Sequence, residues 1–457
     1  MLQLQNFSRQ ISLLSLTLIG LSSSVFAQTE IATNNDFSGT NVITIDQGRT
    51  QAAKIAIGNF NYGPGVQLPQ KLETIIGNDL KNSGIFAPIY ANQFPQSLSS
   101  QLNPEVWFKA GVFYLVTGQV SALNANQLRL DYNLYDMSGA ICPVGQACIS
   151  RTVTLNTSEN RDLAHTAAND VYQAILKQPG DFLTKIAFVQ QPIAGVNKYN
   201  LYIADYDGAN PRQIYTSDRP ILSPNWSGDN QRIAFVSYSL FNSRIMQYDL
   251  NSRAVSILVN KEGNSTAPAY SSDGQYLVYA SGVNGSSDLY LRNLSNGTER
   301  NLTNGRGRNT EPSWYGNSVI FTSDRSGTAA IYQMDLSTGN ANRISRTSGQ
   351  TTDAQISYPV QTMVMINRDR LTTQNLNSNK ISQITNTFLD ESLSISPSGR
   401  MVIYSSTVGN NKVLNLVSID GFYQVQLPVL SGSLSYPAWS NQVQGKSTNN
   451  MNIPSAQ

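Results

Sequence analysis

Residues 435 to 440 read SYPAWS, and no strand-like stretch follows them. A similar phrase, SPNWS at 223 to 227, runs directly into the apolar RIAFVSY. The same opening recurs in APAYSSDGQYLVYAS (267–281), EPSWYGNSVIFTS (311–323), DAQISYPVQTMVMIN (353–367) and SLSISPSGRMVIYSS (392–406). Each apolar strand is followed by a second one, as in IMQYDLNS, LYLRNLSNG, IYQMDLSTG and LNLVSIDG. A shorter third strand then tends to follow, as in RQIYTS, RNLTN, NRISR and SQITN. The strands around Ile186, Ile233, Leu277, Val319, Met363 and Val402 recur every 39 to 47 residues. Repeats of about four strands at this period are the signature of a β-propeller, in which no blade buries its faces alone. Asp273-Gly274 and Ser398-Gly399 supply turns between the opening strand and the next.

There are six such apolar strands and only five openings ahead of them, because TKIAFVQ (184–190) has none. SYPAWS fits the vacancy. It is expected to enter the first blade as its outer strand and close a six-bladed ring over 181–443. Closure also removes the sheet edges that an open array leaves for pairing with other chains. The polar stretch 444–457 is expected to be a disordered tail.

Ahead of the repeats the pattern is mixed. KIAIGNF (54–60) is a short apolar strand, and QKLETIIGNDLKNSG (70–84) places Leu72, Ile75, Ile76 and Leu80 on one helical face before Gly84. FYLVTGQV (113–120) and QLRLDYNLYDM (127–137) read as strands, the second by alternation of Leu128, Leu130, Tyr132 and Leu134. A serine-capped turn at Ser158–Arg161 opens a helix carrying Ala164, Ala168, Val171 and Ile175, which stops at Pro179-Gly180. Alternating strands and helices of this size predict one compact α/β domain over 49–180.

The first 27 residues form a secretory signal: Arg9 in a polar lead, apolar Ile11 to Leu21, and cleavage between Ala27 and Gln28. That apolar run is too short to span a bilayer and no later stretch is apolar enough, so an exported protein without a membrane span is expected. The net charge of +2 offers no basic footprint for nucleic acid. Cys142 and Cys148, the only cysteines, flank a Pro-Gly turn and read as a disulfide. A redox or metal pair is the weaker reading, since the spacing is not CxxC and no histidine lies near.

Chemistry is sparse. The one histidine, His165, reads as a helix residue at the domain interface, and no G-x-S-x-G elbow, zinc spacing, GxGxxG or Walker loop occurs. No cofactor or metal is expected. The sharper feature is a set of acids at blade openings. Glu311 and Asp353 share one slot, and Asp390-Glu391 lie one residue earlier in theirs, which dots one rim of the ring with carboxylates. Such a rim serves a glycosidase pair, a cation site or a docking surface. The polar stretch 28–48 holds two strand-capable pieces, TEIAT and NVITI. It reads either as a disordered leader or as a segment that adds to a partner's sheet edge.

The combination resembles the TolB family, the periplasmic component of the Tol-Pal system of Gram-negative bacteria. The resemblance rests on NTEPSW (309–314), FTSDRSG (321–327), TFLDES (387–392), MVIYSS (401–406), VLNLVSIDG (413–421) and YPAWS, with DLKNSGIF (79–86), VTGQV (116–120) and HTAANDVY (165–172) in the first domain. It implies a non-enzymatic periplasmic protein whose propeller face binds the lipoprotein Pal and whose mature N-terminus binds the C-terminal domain of TolA. It implies further that colicin translocation segments use the Pal face. Carried onto this chain, the Pal face comprises Asn264, Ala267, Thr310 and Glu311, to which rim position and charge add Asp353 and Glu391. Asn264 stands where family members have histidine. The TolA segment is either 28–33 (Gln28, Thr29, Glu30, Ile31) or 41–46 (Val42, Ile43, Ile45). The fifth repeat lacks both the Pro-Trp pair and the Asp-Gly turn, so its rim loop is expected to differ. A secreted propeller hydrolase or glycan-binding protein is the alternative.

Overall fold

The computed structural model describes residues 52–192, 197–283 and 285–443. The expectations for the signal segment with its Ala27–Gln28 cleavage point, for the 28–48 segment and for the 444–457 tail lie outside them.

The first domain is one mixed sheet with helices on both faces. Its strands run in the order Phe86–Ile89, Ala53–Ile57, Val112–Asn124, Gln127–Asp136 and Ala147–Asn156, with Asn61–Tyr62 pairing beside Val112–Asn124. The first three are mutually parallel and the last two join antiparallel. Helices α1 (Leu72–Asn82) and α3 (Asn160–Leu176) cover one face. There the expected stripe of Leu72, Ile75, Ile76 and Leu80 is buried with Ala164, Ala168 and Val171 against Leu128, Leu130, Tyr132 and Leu134. Alternation sends Ala56 to the other face, where it packs with Trp107 of α2 (Pro104–Lys109).

Gly84 ends α1 with φ +70, and a Cβ there would sit 3.0 Å from the Cβ of Tyr423 in the propeller. The stop is therefore also a close approach between domains. The start of α3 departs from expectation. In place of a Ser158 cap, a short 3-10 turn over Thr157–Glu159 precedes the helix, and Glu159 accepts hydrogen bonds from the backbone and side chain of Asn156. Cys142 and Cys148 are joined by a disulfide, with their Cα atoms 5.4 Å apart.

Six four-stranded antiparallel sheets follow. Leu434–Trp439 pairs with Lys185–Gln190, bringing Trp439 opposite Ile186, so the ring is closed by SYPAWS. One part of the expectation is corrected. The opening strands Ile221–Trp226, Asn264–Tyr270, Asn309–Tyr315, Thr351–Ser357, Glu391–Ile395 and Leu434–Trp439 touch one another in sequence around a complete circle. They are the innermost strands of their blades, lining the axis. Repeat spacing fixes the pairing of strands within a sheet and is silent on which edge of that sheet faces the axis.

Each innermost strand carries one non-glycine residue in the left-handed region: Ser223, Ala267, Glu311, Asp353, Ser392 and Tyr436, with φ between 45 and 54. The ladder register shifts at all six positions, so each is a β-bulge. In four blades proline follows (Pro224, Pro268, Pro312, Pro437). A bulge is where a strand tolerates a residue with no N–H to donate. The left-handed turn costs about 1–2 kcal/mol per residue. It is offset by bonds that tie each inner strand to its neighbour. Trp226 Nε1 donates to the Ala438 carbonyl at 3.0 Å, Trp314 Nε1 to that of Ala269 at 3.0 Å, and the Tyr270 N–H donates to Asn225 Oδ1 at 2.9 Å.

Candidate functional site at the open mouth of the propeller

The two ends of the axis differ in what covers them. The α/β domain packs on the end where the innermost strands finish. Asp181 accepts the Ser398 N–H at 2.9 Å, Tyr423 donates from its hydroxyl to Asn82 Oδ1 at 2.7 Å, and Trp439 Nε1 donates to Thr184 Oγ1 at 2.7 Å. Phe182, in the linker between the domains, packs against Tyr172 of α3 and Tyr206 of the first blade.

The densest contact on this side surrounds His165, which is fully buried. Its Nδ1 lies 2.8 Å from Asp79 Oδ2, and Tyr206 donates its hydroxyl to Asp79 Oδ1 at 2.8 Å. Arg161 reaches across to Asp205 at 3.0 Å and to Asp207, while Lys185 meets Asp205 at 2.6 Å. Burial works against the imidazolium, yet the Asp79 and Asp207 carboxylates hold the His165 pKa above the ordinary value. Ligand atoms of Asp79, His165 and Asp207 lie within 4.8 Å of one another, a spacing that suits a metal. The Arg161 guanidinium, bonded to Asp207 and 3.5 Å from His165 Nε2, already supplies the positive charge there. The group is an ion-pair junction between domains, and His165 sits at the interface as expected.

At the opposite end, where the innermost strands begin, the second-to-third-strand turns and the connections between blades surround a mouth that no other described element covers. Asn264, Ala267, Thr310, Glu311, Asp353 and Glu391 all lie in the leading halves of innermost strands, and so at this end. Glu311 Oε2 accepts from Thr322 Oγ1 at 2.7 Å and from the Asp353 N–H at 2.8 Å. Asp353 Oδ2 in turn accepts the Leu393 N–H at 3.0 Å, so two carboxylates fasten three consecutive blades. Burial first, then the nearby Glu311 carboxyl and more weakly Glu391, push Asp353 up to about 8. Glu391 pairs with Lys412, and the Ser405 hydroxyl donates to its backbone carbonyl at 3.1 Å. Asn264 Oδ1 accepts the Ser243 N–H at 2.9 Å, which commits it to bracing the adjacent turn of the second blade.

The expected peculiarity of the fifth blade is relocated. Its missing proline is Ala354, directly behind the Asp353 bulge, while the tryptophan slot (Ile356) and the lost Asp-Gly turn fall in 356–361 at the covered end; Asp353 still keeps the same bulge as its five counterparts. Sequence reasoning also missed a feature of the mouth. Leu240 and Phe241, at the tip of a turn in the second blade, are 71% and 94% exposed. The signal was an apolar pair inside the polar YSLFNS. Phe388 and Leu389, on the far side of the ring, are exposed as well. Half-buried carboxyls bridging blades, an apolar tip and surrounding loops equip the mouth to grip a macromolecule by complementary shape and charge.

Residues 172–443 match the family model described as the TolB beta propeller domain, and residues 41–140 match the TolB amino-terminal domain. A relative from Haemophilus influenzae, described as Tol-Pal system protein TolB, is 40% identical over 421 residues, covering 91% of this chain and 97% of its own length. One of the same description from Actinobacillus succinogenes is 38% identical over 401 residues, covering 87% and 92%. The crystal structure of TolB from Acinetobacter baumannii superposes with a TM-score of 0.79 at 31% identity, over 88% of this chain and 99% of that one. With its closed six-bladed ring, its α/β domain and these relatives, the chain belongs to the TolB family and is a protein-interaction component of the Tol-Pal system.

Proposed function

We propose that this protein is a non-enzymatic periplasmic adaptor that binds Pal at the open mouth and presents the 28–48 segment to the C-terminal domain of TolA. In that role it supports outer-membrane integrity and the inward movement of the outer membrane at division. The observation that carries the reading is positional. The residues matched to the family's Pal face, Ala267 and Thr310-Glu311, come from different blades and share the one end of the axis that the α/β domain leaves uncovered. Periplasmic placement follows from the signal segment read in the sequence. Among the described residues no helix is long and apolar enough to cross a membrane.

Calorimetry with the soluble domain of Pal from the same genome tests the docking. Glu311→Lys places a cation against Asp353 and its bonded neighbours, and is expected to weaken binding by about 1–2 kcal/mol. A thermal melt run alongside separates this from unfolding, because Glu311 also holds the Asp353 N–H. Unchanged affinity in a folded variant refutes the rim assignment. Deleting residues 28–46 is expected to abolish TolA capture and leave Pal binding intact; retained capture would place the TolA contact elsewhere.

A further inference from the structure

The mouth carries positive charge that no described residue neutralises. Arg219, Arg306, Arg346 and Arg368 stand in turns or blade connections at this end, all are exposed, and none makes an ion pair among the described residues. Other basic side chains of the same end do find carboxylates: Arg308 meets Asp324 and Lys412 meets Glu391. The acids here are thus mostly paired or turned inward, with the exposed Glu262 as the exception. The four guanidiniums are spread from the first blade to the fifth, around an axis whose centre holds Glu311 and Asp353.

The apolar pair on the second blade is held out by design of its turn. The Ser239 N–H donates to the Asn242 carbonyl at 2.7 Å, Asn242 Nδ2 to that of Lys261 at 3.4 Å, and Asn264 braces Ser243. Two large apolar side chains kept in water by a braced turn contribute nothing to the core of their blade. Arginines and an aromatic anchor are the composition of protein-interface hot spots.

We infer that the mouth is built for an acidic protein surface, whose carboxylates meet Arg219, Arg306, Arg346 and Arg368 while Leu240 and Phe241 enter an apolar pocket on it. This rests on the docking reading above and adds the chemistry of the partner's face. An anionic lipid surface shares the attraction to arginine and phenylalanine. It does not match the half-buried carboxyls at the centre of the arginine ring, which favour a partner with its own charge pattern.

The test compares the unaltered mature protein with two variants, one carrying Arg219→Glu, Arg306→Glu, Arg346→Glu and Arg368→Glu together, the other Phe241→Ser. All five positions are exposed, and a melt of each variant checks the fold. Binding to the soluble Pal domain is measured at low and high salt, and binding to phosphatidylglycerol vesicles in parallel. The fourfold reversal is expected to weaken Pal binding about 100-fold at low salt and to remove its salt dependence. Phe241→Ser is expected to cost about 10-fold at either salt. Equal Pal affinity in all three proteins overturns the inference and leaves the docking reading standing. No Pal binding by the unaltered protein overturns both. Variants that lose vesicle binding while keeping Pal affinity assign the surface to lipid and overturn the inference.

Discussion

The two ends of the propeller are made by the same six inner strands and are built on opposite terms. At the covered end the strands finish in side chains that close on something: Trp439 on Thr184, Trp226 and Trp314 on the preceding blade, and turns that meet the α/β domain. Buried charge there is matched, three carboxylates (Asp79, Asp205, Asp207) against Arg161, Lys185 and His165. At the open end each strand carries a left-handed bulge, one half-buried carboxyl lies beside another, and Phe241 stands in water. Strain and exposure persist where a surrounding framework over-determines the backbone. One end supplies that framework to the other.

The contrast can be broken in order of severity. Truncating the chain before Tyr436 removes the strand that closes the ring. It is expected to abolish the cooperative melt, a loss exceeding about 5 kcal/mol, read by circular dichroism in a urea series. A melt indistinguishable from that of the full chain would mean that closure contributes no stability. Asp79→Ala strands His165 and Tyr206 inside the junction, and a loss of about 3–5 kcal/mol is expected, since removing one partner leaves a buried charge uncompensated. If the unfolding midpoint moves by far less, the junction is wetter than its burial indicates. The mildest change acts at the mouth. Asp353 titrates near 8 when folded, from an ordinary 3.8, so the native state binds more protons than the unfolded chain between those values. Its contribution is therefore fully present below about pH 4 and is lost as pH rises through 8. Asp353→Asn keeps an acceptor for the Leu393 N–H and is expected to raise stability at pH 8 by at least about 1 kcal/mol, with little change at pH 4. Equal pH slopes for both proteins would show that Asp353 ionises freely.

Much of this contrast could be read in the sequence because it is written in short-range patterns. The spacing of Ile186 to Val402 counts blades, and the Leu128–Leu134 alternation marks a half-buried strand. Even the displaced SYPAWS is visible, as a repeat unit lacking its companion. What escaped depends on contacts between distant segments. Ala147–Asn156 mixes Ser150, Arg151 and Thr152 with apolar residues and buries only Val153 deeply, so no period announces it as a strand. The Asp79–His165–Asp207 group joins α1, α3 and the first blade, and no local motif predicts that three charges will share one buried space. The left-handed bulge at Glu311 and Asp353 is likewise invisible, because glycine, its usual marker, is absent from all six positions.

Completion of the first blade by Leu434–Trp439 also sets an order of events. Lys185–Gln190 leaves the ribosome or the export channel long before the strand that pairs with it, to which it is later fastened by the Lys185 N–H on Ser440 Oγ at 2.9 Å. At ordinary rates of synthesis that lag is on the order of ten to fifty seconds, far longer than a β-hairpin needs to form. Until that strand arrives, a first blade that has formed presents a sheet edge without its native partner. That makes the interval before the last blade the time at which this chain most needs a chaperone.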